Sequence, residues 1–311
     1  MKDPSIRLPV SNNNRAPSQR VDQDDIQAVS GQARKRFRRR AGARSGEPTR
    51  DLPVAPPLAA VSGRALVPSR KMALVRDEWE ALRFVSPGVR RHFLSGAPLV
   101  KFFRHDPAAR AFDLLRTRLL QTLRANGWNR VAIASPTAGC GSTFTAVNLA
   151  QSLARVPGSR TVLMDLNHRN PGIAGMLDMD DVGDMRGFLT GKVPVHRHLM
   201  RATKTLALGL TAGPDRNSAE ILHDARCGEA LNRMTKALRP DVVLYDLPPV
   251  LECDDLSAFL AQIDGVLLVA DGTQTMAGQI AASERLFEGR TRSLGVILNR
   301  ARPSGPQEHG F

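Results

Sequence analysis

The chain has 311 residues, and its 44 Lys and Arg residues against 30 Asp and Glu residues give a formal net charge of +14. Residues 1–105 hold 21 of the basic and 9 of the acidic residues, so the positive charge belongs to the first third of the chain. Three scattered cysteines argue against a disulfide framework or a metal cluster. A membrane-spanning helix needs ~18 consecutive apolar residues, and the sequence contains no run of that length. It also lacks the apolar core of a signal peptide after Met1. We therefore predict a cytoplasmic protein without its own membrane anchor.

The first 60 residues are rich in Pro, Ser, Asn, Gln and Arg and lack apolar periodicity, so we predict a disordered basic arm over residues 1–60. Within it, Arg34–Arg40 places six basic residues in seven. Such a run attracts polyanions, either phospholipid headgroups or nucleic acid, although a solvated tail that keeps the protein soluble is an equal alternative. Residues 61–105 are predicted to be a linker with short helices or a docking segment, for which Trp79–Phe84 is a candidate.

Strands and helices alternate from residue 106 to residue 302. Helical spacing of apolar residues predicts a helix over 107–125, and a Gly-rich turn precedes a second helix that ends near Ala154. The predicted strands are Arg130–Ser135, Thr161–Asp165, Thr205–Leu210, Asp241–Asp246, Gly265–Ala270 and Leu294–Leu298, with further helices over 227–238, 255–262 and 275–288. This alternation predicts an α/β fold, a doubly wound and mostly parallel sheet with helices on both faces, before a flexible tail at 303–311.

A Gly-rich loop follows the first predicted strand, at the edge where such sheets bind ligands. A phosphate-binding loop needs G-x-x-x-x-G-K-[ST], in which backbone N–H groups approach the phosphates and the Lys neutralises them. Gly139, Gly141 and Thr143 fit this pattern, whereas Pro136 replaces the first Gly and Ser142 replaces the Lys. A close-packing turn without a ligand is the alternative.

Two other predicted strands end in a carboxylate, Asp165 and Asp246. A carboxylate just beyond an apolar strand is well placed to hold Mg²⁺ or to orient a nucleophile. Each residue taken alone could instead cap the next helix. Together with the Gly-rich loop after the first strand, these carboxylates mark three strand ends, which favours one shared ligand site.

Residues 107–302 resemble the bacterial tyrosine kinase (BY-kinase) and capsule or exopolysaccharide ATPase family, within the deviant Walker, MinD/ParA-type P-loop group. Ile133–Gly141 resembles the Walker A segment, Met164-Asp165 with Arg169 and Pro171 resembles Walker A′, and Tyr245–Leu251 resembles Walker B. Supporting stretches are Gly187–Gly191, Gly213–Leu222, Gly265–Val269 and Gly295–Arg300.

The resemblance implies a P-loop NTPase-like fold that binds ATP or ADP with Mg²⁺. Asn299 matches the position that contacts adenine in relatives. The implied nucleotide-binding residues are Ala138, Gly139, Cys140, Gly141, Ser142, Thr143, Phe144 and Asn299. The implied Mg²⁺ ligands are Thr143, Asp165 and Asp246, of which the two carboxylates are also the candidate catalytic residues.

The chain departs from the family pattern in four places. Ser142 removes the Walker Lys, and Asn167 stands where Walker A′ has its second Asp. The oligomerisation helix, which reads Glu-x-x-Arg-x-x-Arg in the family, has its first two charges swapped, with Arg110, Asp113 and Arg116 at these positions. A C-terminal tyrosine cluster is absent, since the chain has a single tyrosine inside the predicted fourth strand, where a core aromatic is expected. These changes predict a pseudokinase with weak or lost catalysis.

The sequence therefore predicts a BY-kinase-like nucleotide-binding protein that regulates exopolysaccharide or capsule polysaccharide biosynthesis and export. Its expected partners are the cytoplasmic tail of a membrane copolymerase of the chain-length-determinant (Wzz) type, an anionic membrane surface through Arg34–Arg40, and further copies of itself. We expect it at the inner face of the plasma membrane. The alternative is a partition-type ATPase that binds DNA or membrane through the basic arm. Residues 130–160 contain no Lys, whereas partition ATPases carry a second Lys early in this loop, so nucleic acid is the less favoured partner.

Overall fold

The computed structural model describes residues 77–87, 107–215 and 217–301. The predicted basic arm with Arg34–Arg40 and the predicted tail at 303–311 lie outside these described residues, as does most of the predicted linker at 61–105.

A single mixed sheet runs through the described residues. Its eight strands lie in the order β1-β4-β5-β3-β6-β2-β7-β8. The strands are β1 (Arg83–Phe84), β2 (Arg130–Ala134), β3 (Thr161–Asp165), β4 (Met200–Arg201), β5 (Leu206–Gly209), β6 (Val242–Asp246), β7 (Gly265–Asp271) and β8 (Arg292–Asn299). Strands β4 and β5 pair antiparallel, and the other neighbours pair parallel. The predicted mostly parallel sheet is confirmed, and all six predicted strands are present.

Helices cover both faces of this sheet, as predicted. They are α1 (Pro107–Asn126), α2 (Ser142–Leu153), α3 (Ile173–Met176), α4 (Met185–Leu189), α5 (Val195–His198), α6 (Ser218–His223), α7 (Ala225–Leu238), α8 (Asp255–Phe259) and α9 (Ala277–Phe287), with a 3₁₀ turn at Leu260–Gln262. Along β2, Val131 and Ile133 pack on the α1 and α2 side, whereas Ala132 packs on the α7 and α9 side. This alternation follows from the period of two in a strand, which lets a short apolar run fill two cores. Within the described residues, no helix has both the length and the apolar character needed to cross a membrane.

The segment before the first long helix, which the sequence assigned to a linker or docking segment, packs on one edge of the sheet. Trp79 is fully buried, and its indole Nε1 donates a hydrogen bond to the Lys204 carbonyl at 2.9 Å. Strand β1 then pairs in parallel with β4. The guanidinium of Arg160 lies 5.3 Å from the centre of the Trp79 ring and forms an ion pair with Asp77. The hydrophobic core of the domain therefore includes a residue that lies well before residue 106.

Candidate functional site

A cavity of about 430 Å³ opens at the carboxyl ends of β2, β3 and β6, where the sheet order places these three strands side by side. Its lining includes six of the predicted nucleotide-binding residues: Ala138, Gly139, Gly141, Ser142, Thr143 and Phe144. Parallel strands separated by helices bring their carboxyl ends to one edge, which explains why residues far apart in sequence meet here.

The loop between β2 and α2 is held by backbone conformation and by the end of β8. Gly141 has a φ of 91°, which suits glycine, and a Cβ built there would lie 2.3 Å from the Asn299 amide nitrogen. That amide donates a hydrogen bond to the Cys140 carbonyl at 2.9 Å, and Arg300 donates one to the Gly139 carbonyl at 2.9 Å. Helix α2 begins after Gly141 without a side-chain cap, so its first N–H groups remain available at the cavity.

Cys140 lies inside this loop with its thiol buried, near the hydroxyl groups of Thr137 and Thr275 at 3.6 and 3.5 Å. Burial raises the pKa of the Cys140 thiol, but these hydrogen bonds outweigh it and leave the pKa below its ordinary value. The side chain packs against the loop and the β7 end, and the cavity lining does not include it.

The two strand-end carboxylates lie side by side beneath the loop. Asp165 on β3 and Asp246 on β6 are register partners, and neither side chain is exposed to solvent. The hydroxyl of Thr143 donates a hydrogen bond to Asp246 Oδ2 at 2.6 Å, and the Ile173 N–H donates one to Asp165 Oδ2 at 3.0 Å. Among the described residues, the Oδ1 atom of each carboxylate has no hydrogen-bond partner.

Burial dominates the electrostatics of this carboxylate pair. It raises the pKa of Asp165 to about 7, against the opposing effect of backbone N–H donors. Burial, together with repulsion from Asp165, raises the pKa of Asp246 well above its ordinary value. A nearby cation would relieve both effects, because it stabilises the ionised carboxylates.

The donor set here fits Mg²⁺, which prefers oxygen ligands from one or two carboxylates together with water and phosphate oxygens. Thr143, Asp165 and Asp246 supply one hydroxyl and two carboxylates, and two of the buried carboxylate oxygens have no partner in the described part of the chain. Within the described residues, no group of three or more His, Cys, Asp or Glu side chains is arranged to hold a metal. A metal at this site would therefore complete its coordination with water or phosphate oxygens.

Within the part of the chain that the structure describes, Arg169 is the one basic residue that lines this cavity. Ser142, at the Walker Lys position, is nearly buried at the start of α2. Arg169 also lines the cavity, but its Nε atom donates to Asp255 Oδ2 at 2.9 Å, and its guanidinium lies 3.5 Å from Asp254. Arg169 is therefore already paired with carboxylates, and in this structure it does not substitute for the missing Lys.

Asn167 and Asn299 occupy different positions relative to the cavity. Asn167 lines it, at the end of β3, where Walker A′ has its second Asp. The amide of Asn299 binds the loop backbone, and the cavity lining does not include this residue. A contact between Asn299 and adenine stays a prediction.

The predicted oligomerisation residues lie on α1, and two of them contact helix α2. Asp113 accepts hydrogen bonds from the Ser152 hydroxyl at 2.7 Å and from Arg116 at 3.1 Å, and it forms an ion pair with Arg155. Arg110 is exposed. Asp113 and Arg116 thus hold α1 against the end of α2 within one chain, and the role of the three residues between chains stays a prediction.

Tyr245 is a core residue, as predicted. Its ring is fully buried and packs edge-to-face on Phe259, with the ring centres 5.0 Å apart. Burial raises the pKa of its phenol far above the ordinary value.

Sequence reasoning missed two residues that contact the site. Glu252 lines the cavity, and its carboxylate accepts a hydrogen bond from the Ala138 N–H at 2.7 Å. The buried carboxylate of Asp255 accepts hydrogen bonds from Arg169 and Ser218. Both residues follow the predicted Walker B segment, but no local pattern indicates their contacts. Glu252 lies 114 residues from Ala138, and Asp255 lies 86 residues from Arg169.

Comparisons with known proteins point to one group. No protein-family model matches the chain. EpsB of Ralstonia nicotianae, which is named as a tyrosine-protein kinase, is 28% identical over 204 residues, which are 64% of this chain and 26% of EpsB. The chromosome-partitioning ATPase Soj of Thermus thermophilus is 32% identical over 189 residues, which are 54% of this chain and 68% of Soj. The chain belongs to the deviant Walker P-loop ATPases. Within that group it resembles the BY-kinases and exopolysaccharide ATPases.

Two further proteins are similar to this chain. The succinoglycan biosynthesis transport protein ExoP of Rhizobium meliloti is 29% identical over 177 residues, which are 55% of this chain and 22% of ExoP. The crystal structure of the VpsO kinase domain is 26% identical, covers 63% of this chain and 98% of that domain, and superposes with a TM-score of 0.53. The chain spans about a quarter of the length of EpsB and ExoP.

Proposed function

We propose that this chain is a BY-kinase-like nucleotide-binding protein that regulates exopolysaccharide or capsule polysaccharide biosynthesis and export, with weak or lost catalysis. The observation that carries the proposal is the loop between β2 and α2. It presents backbone N–H groups and an uncapped helix start to the cavity, directly above the Thr143 hydroxyl and the buried Asp165 and Asp246. The names of EpsB and VpsO support the kinase family, and the name of ExoP supports a role in polysaccharide biosynthesis.

Ser142 is the reason to propose weak catalysis. Phosphoryl transfer relies on positive charge beside the transferred group, and each electrostatic contact of this kind commonly contributes several kcal/mol to the transition state. Ser142 supplies no charge, and Arg169 is engaged with Asp255 and Asp254. ATP or ADP with Mg²⁺ would then be held by loop N–H groups, the start of α2 and the Thr143 hydroxyl, and nucleotide binding rather than turnover would carry the regulatory signal.

The proposed partners follow from the same resemblance and from the basic arm. The chain would dock on the cytoplasmic tail of a membrane copolymerase of the chain-length-determinant type. Arg34–Arg40 would add attraction to anionic lipid at the inner face of the plasma membrane. Self-association through the α1 surface around Arg110 is a further proposal, since this side chain is exposed.

Calorimetric titration with ATP or ADP, in the presence of Mg²⁺ or of EDTA, tests the nucleotide site. We expect binding that weakens in EDTA, because Mg²⁺ would join the phosphates to the Thr143 hydroxyl and the carboxylate pair. Thr143→Val should remove the difference between Mg²⁺ and EDTA, whereas Thr143→Ser should retain it. Absence of nucleotide binding by both the wild type and Ser142→Lys would contradict the proposed function.

The match to Soj favours a second candidate function, a partition-type ATPase that binds DNA through the arm. Two binding assays, each at low and high salt, distinguish the two candidate functions. One measures binding to vesicles that contain anionic lipid, and the other is a gel shift with duplex DNA. The main proposal predicts vesicle binding that falls with salt and is lost when residues 34–40 are deleted. A salt-sensitive DNA shift lost in the same deletion, without vesicle binding, would favour the partition ATPase.

A further inference from the structure

The carboxylate of Glu252 occupies part of the phosphate-binding loop. Its Oε1 atom accepts a hydrogen bond from the Ala138 N–H at 2.7 Å, and both residues line the cavity together with Ser142 and Thr143. Backbone N–H groups of this loop are the donors that a phosphate oxygen would use. One of these donors, the Ala138 N–H, therefore already forms a hydrogen bond with a side-chain oxygen of the protein.

Two basic side chains near the loop, Arg169 and Arg300, are each paired with other carboxylates. Arg169 forms ion pairs with Asp255 and Asp254, and Ser142 contributes no charge. The carboxylate of Glu252 therefore adds a negative charge beside a loop that already lacks the Walker Lys, and this charge disfavours a bound anion.

Glu252 is also free to move. Its side chain is exposed, and its own N–H donates to the Pro249 carbonyl in the turn that follows β6, so the backbone of this turn is held independently of the carboxylate. Rotation of an exposed side chain costs little, whereas a loop rearrangement would cost far more.

We propose that Glu252 is an internal competitor that a nucleotide phosphate must displace from the Ala138 N–H. The site then selects ligands by charge, because repulsion from Glu252 grows with the number of phosphate charges beside the loop. ATP is penalised most, ADP less, and adenosine not at all. This inference rests on the proposed nucleotide site and assigns Glu252 as its specificity-determining residue.

The test compares the wild type, Glu252→Gln and Glu252→Ala in calorimetric titrations with MgATP, MgADP and adenosine. Gln retains an oxygen acceptor without the charge, and Ala removes both. Glu229→Gln is the matched control, since Glu229 is exposed on α7 and does not line the cavity. Melting temperatures check that the variants are folded. The same variants are also titrated with the same ligands in a Ser142→Lys background, so that weak binding by the wild type does not limit the comparison.

We expect Glu252→Gln to tighten MgATP binding by about tenfold, as removal of one nearby like charge from a half-exposed site implies. Glu252→Ala should tighten it at least as much, MgADP should gain less, and adenosine should be unchanged. Unchanged ATP affinity, or an equal gain for all three ligands, would overturn the role of Glu252 and leave the nucleotide site standing. No nucleotide binding in any variant, in either background, would instead overturn the proposed function.

Discussion

Ser142→Lys is expected to tighten MgATP binding by about 10- to 100-fold, a gain of about 1.4–2.8 kcal/mol. Ser142 begins α2 and lines the cavity, so a Lys side chain there would extend toward the space where loop N–H groups would bind phosphate. The ammonium would add positive charge to a site whose Arg169 is paired with Asp255 and Asp254. Calorimetry with MgATP measures the affinity.

Ser142→Met is the matched control for this substitution, because it has a similar length and no charge. It should leave MgATP affinity close to that of the wild type. If Met and Lys tighten binding equally, the effect comes from packing in the cavity and the account of the missing charge is wrong. ATP hydrolysis measured in parallel adds a second readout. Turnover by the wild type that disappears in Asp165→Ala would contradict weak or lost catalysis, since it would show that another group replaces the Lys.

Trp79→Ala is expected to lower the free energy of unfolding by about 3–5 kcal/mol, the usual cost of truncating a buried large aromatic side chain. Trp79 is fully buried in the same hydrophobic cluster as Phe188 and Leu231, and its Nε1 atom binds the Lys204 carbonyl. Truncation would leave a cavity and an unpaired carbonyl, and it would remove the ring beneath Arg160.

Phe84→Ala provides the control for this prediction, because Phe84 lies in the same segment but is 61% exposed. Its effect should stay within about 0.5 kcal/mol. Urea unfolding followed by circular dichroism measures both variants, since tryptophan fluorescence would itself change with Trp79. Equal and small losses for the two variants would mean that the segment before α1 does not contribute to the folded core.

Much of the fold follows from local pattern. The apolar runs that became β2, β3, β6 and β7 are short, rich in Val, Leu, Ile and Ala, and bounded by polar or Gly residues, so their type and length are encoded within a few residues. The short strands β1 and β4, each of two residues, carry no such pattern. They form because β1 pairs with β4 and β4 pairs with β5 at the edge of the sheet. This pairing joins residues that are distant in sequence, so a short stretch of sequence cannot predict it.

The site divides in the same way. The Gly-rich loop and the two strand-end carboxylates are recognisable in the sequence, because each is a local motif at the end of an apolar run. The contact between Glu252 and Ala138 joins residues 114 positions apart, and the α1 contact between Asp113 and Ser152 joins residues 39 positions apart. Such contacts depend on how the elements pack and not on the spacing of residues along the chain.

The sequence by itself therefore determined the alternating α/β order, the position of the ligand edge, and the absence of the Walker Lys at Ser142, since these depend on residue type and spacing. Only the tertiary structure decided that Trp79 completes the core and that Arg169 is paired with carboxylates. It also decided that Glu252 accepts a hydrogen bond from the backbone of the phosphate-binding loop. The physical reason is that burial and charge balance are properties of a three-dimensional neighbourhood, and side chains distant in sequence supply most of it.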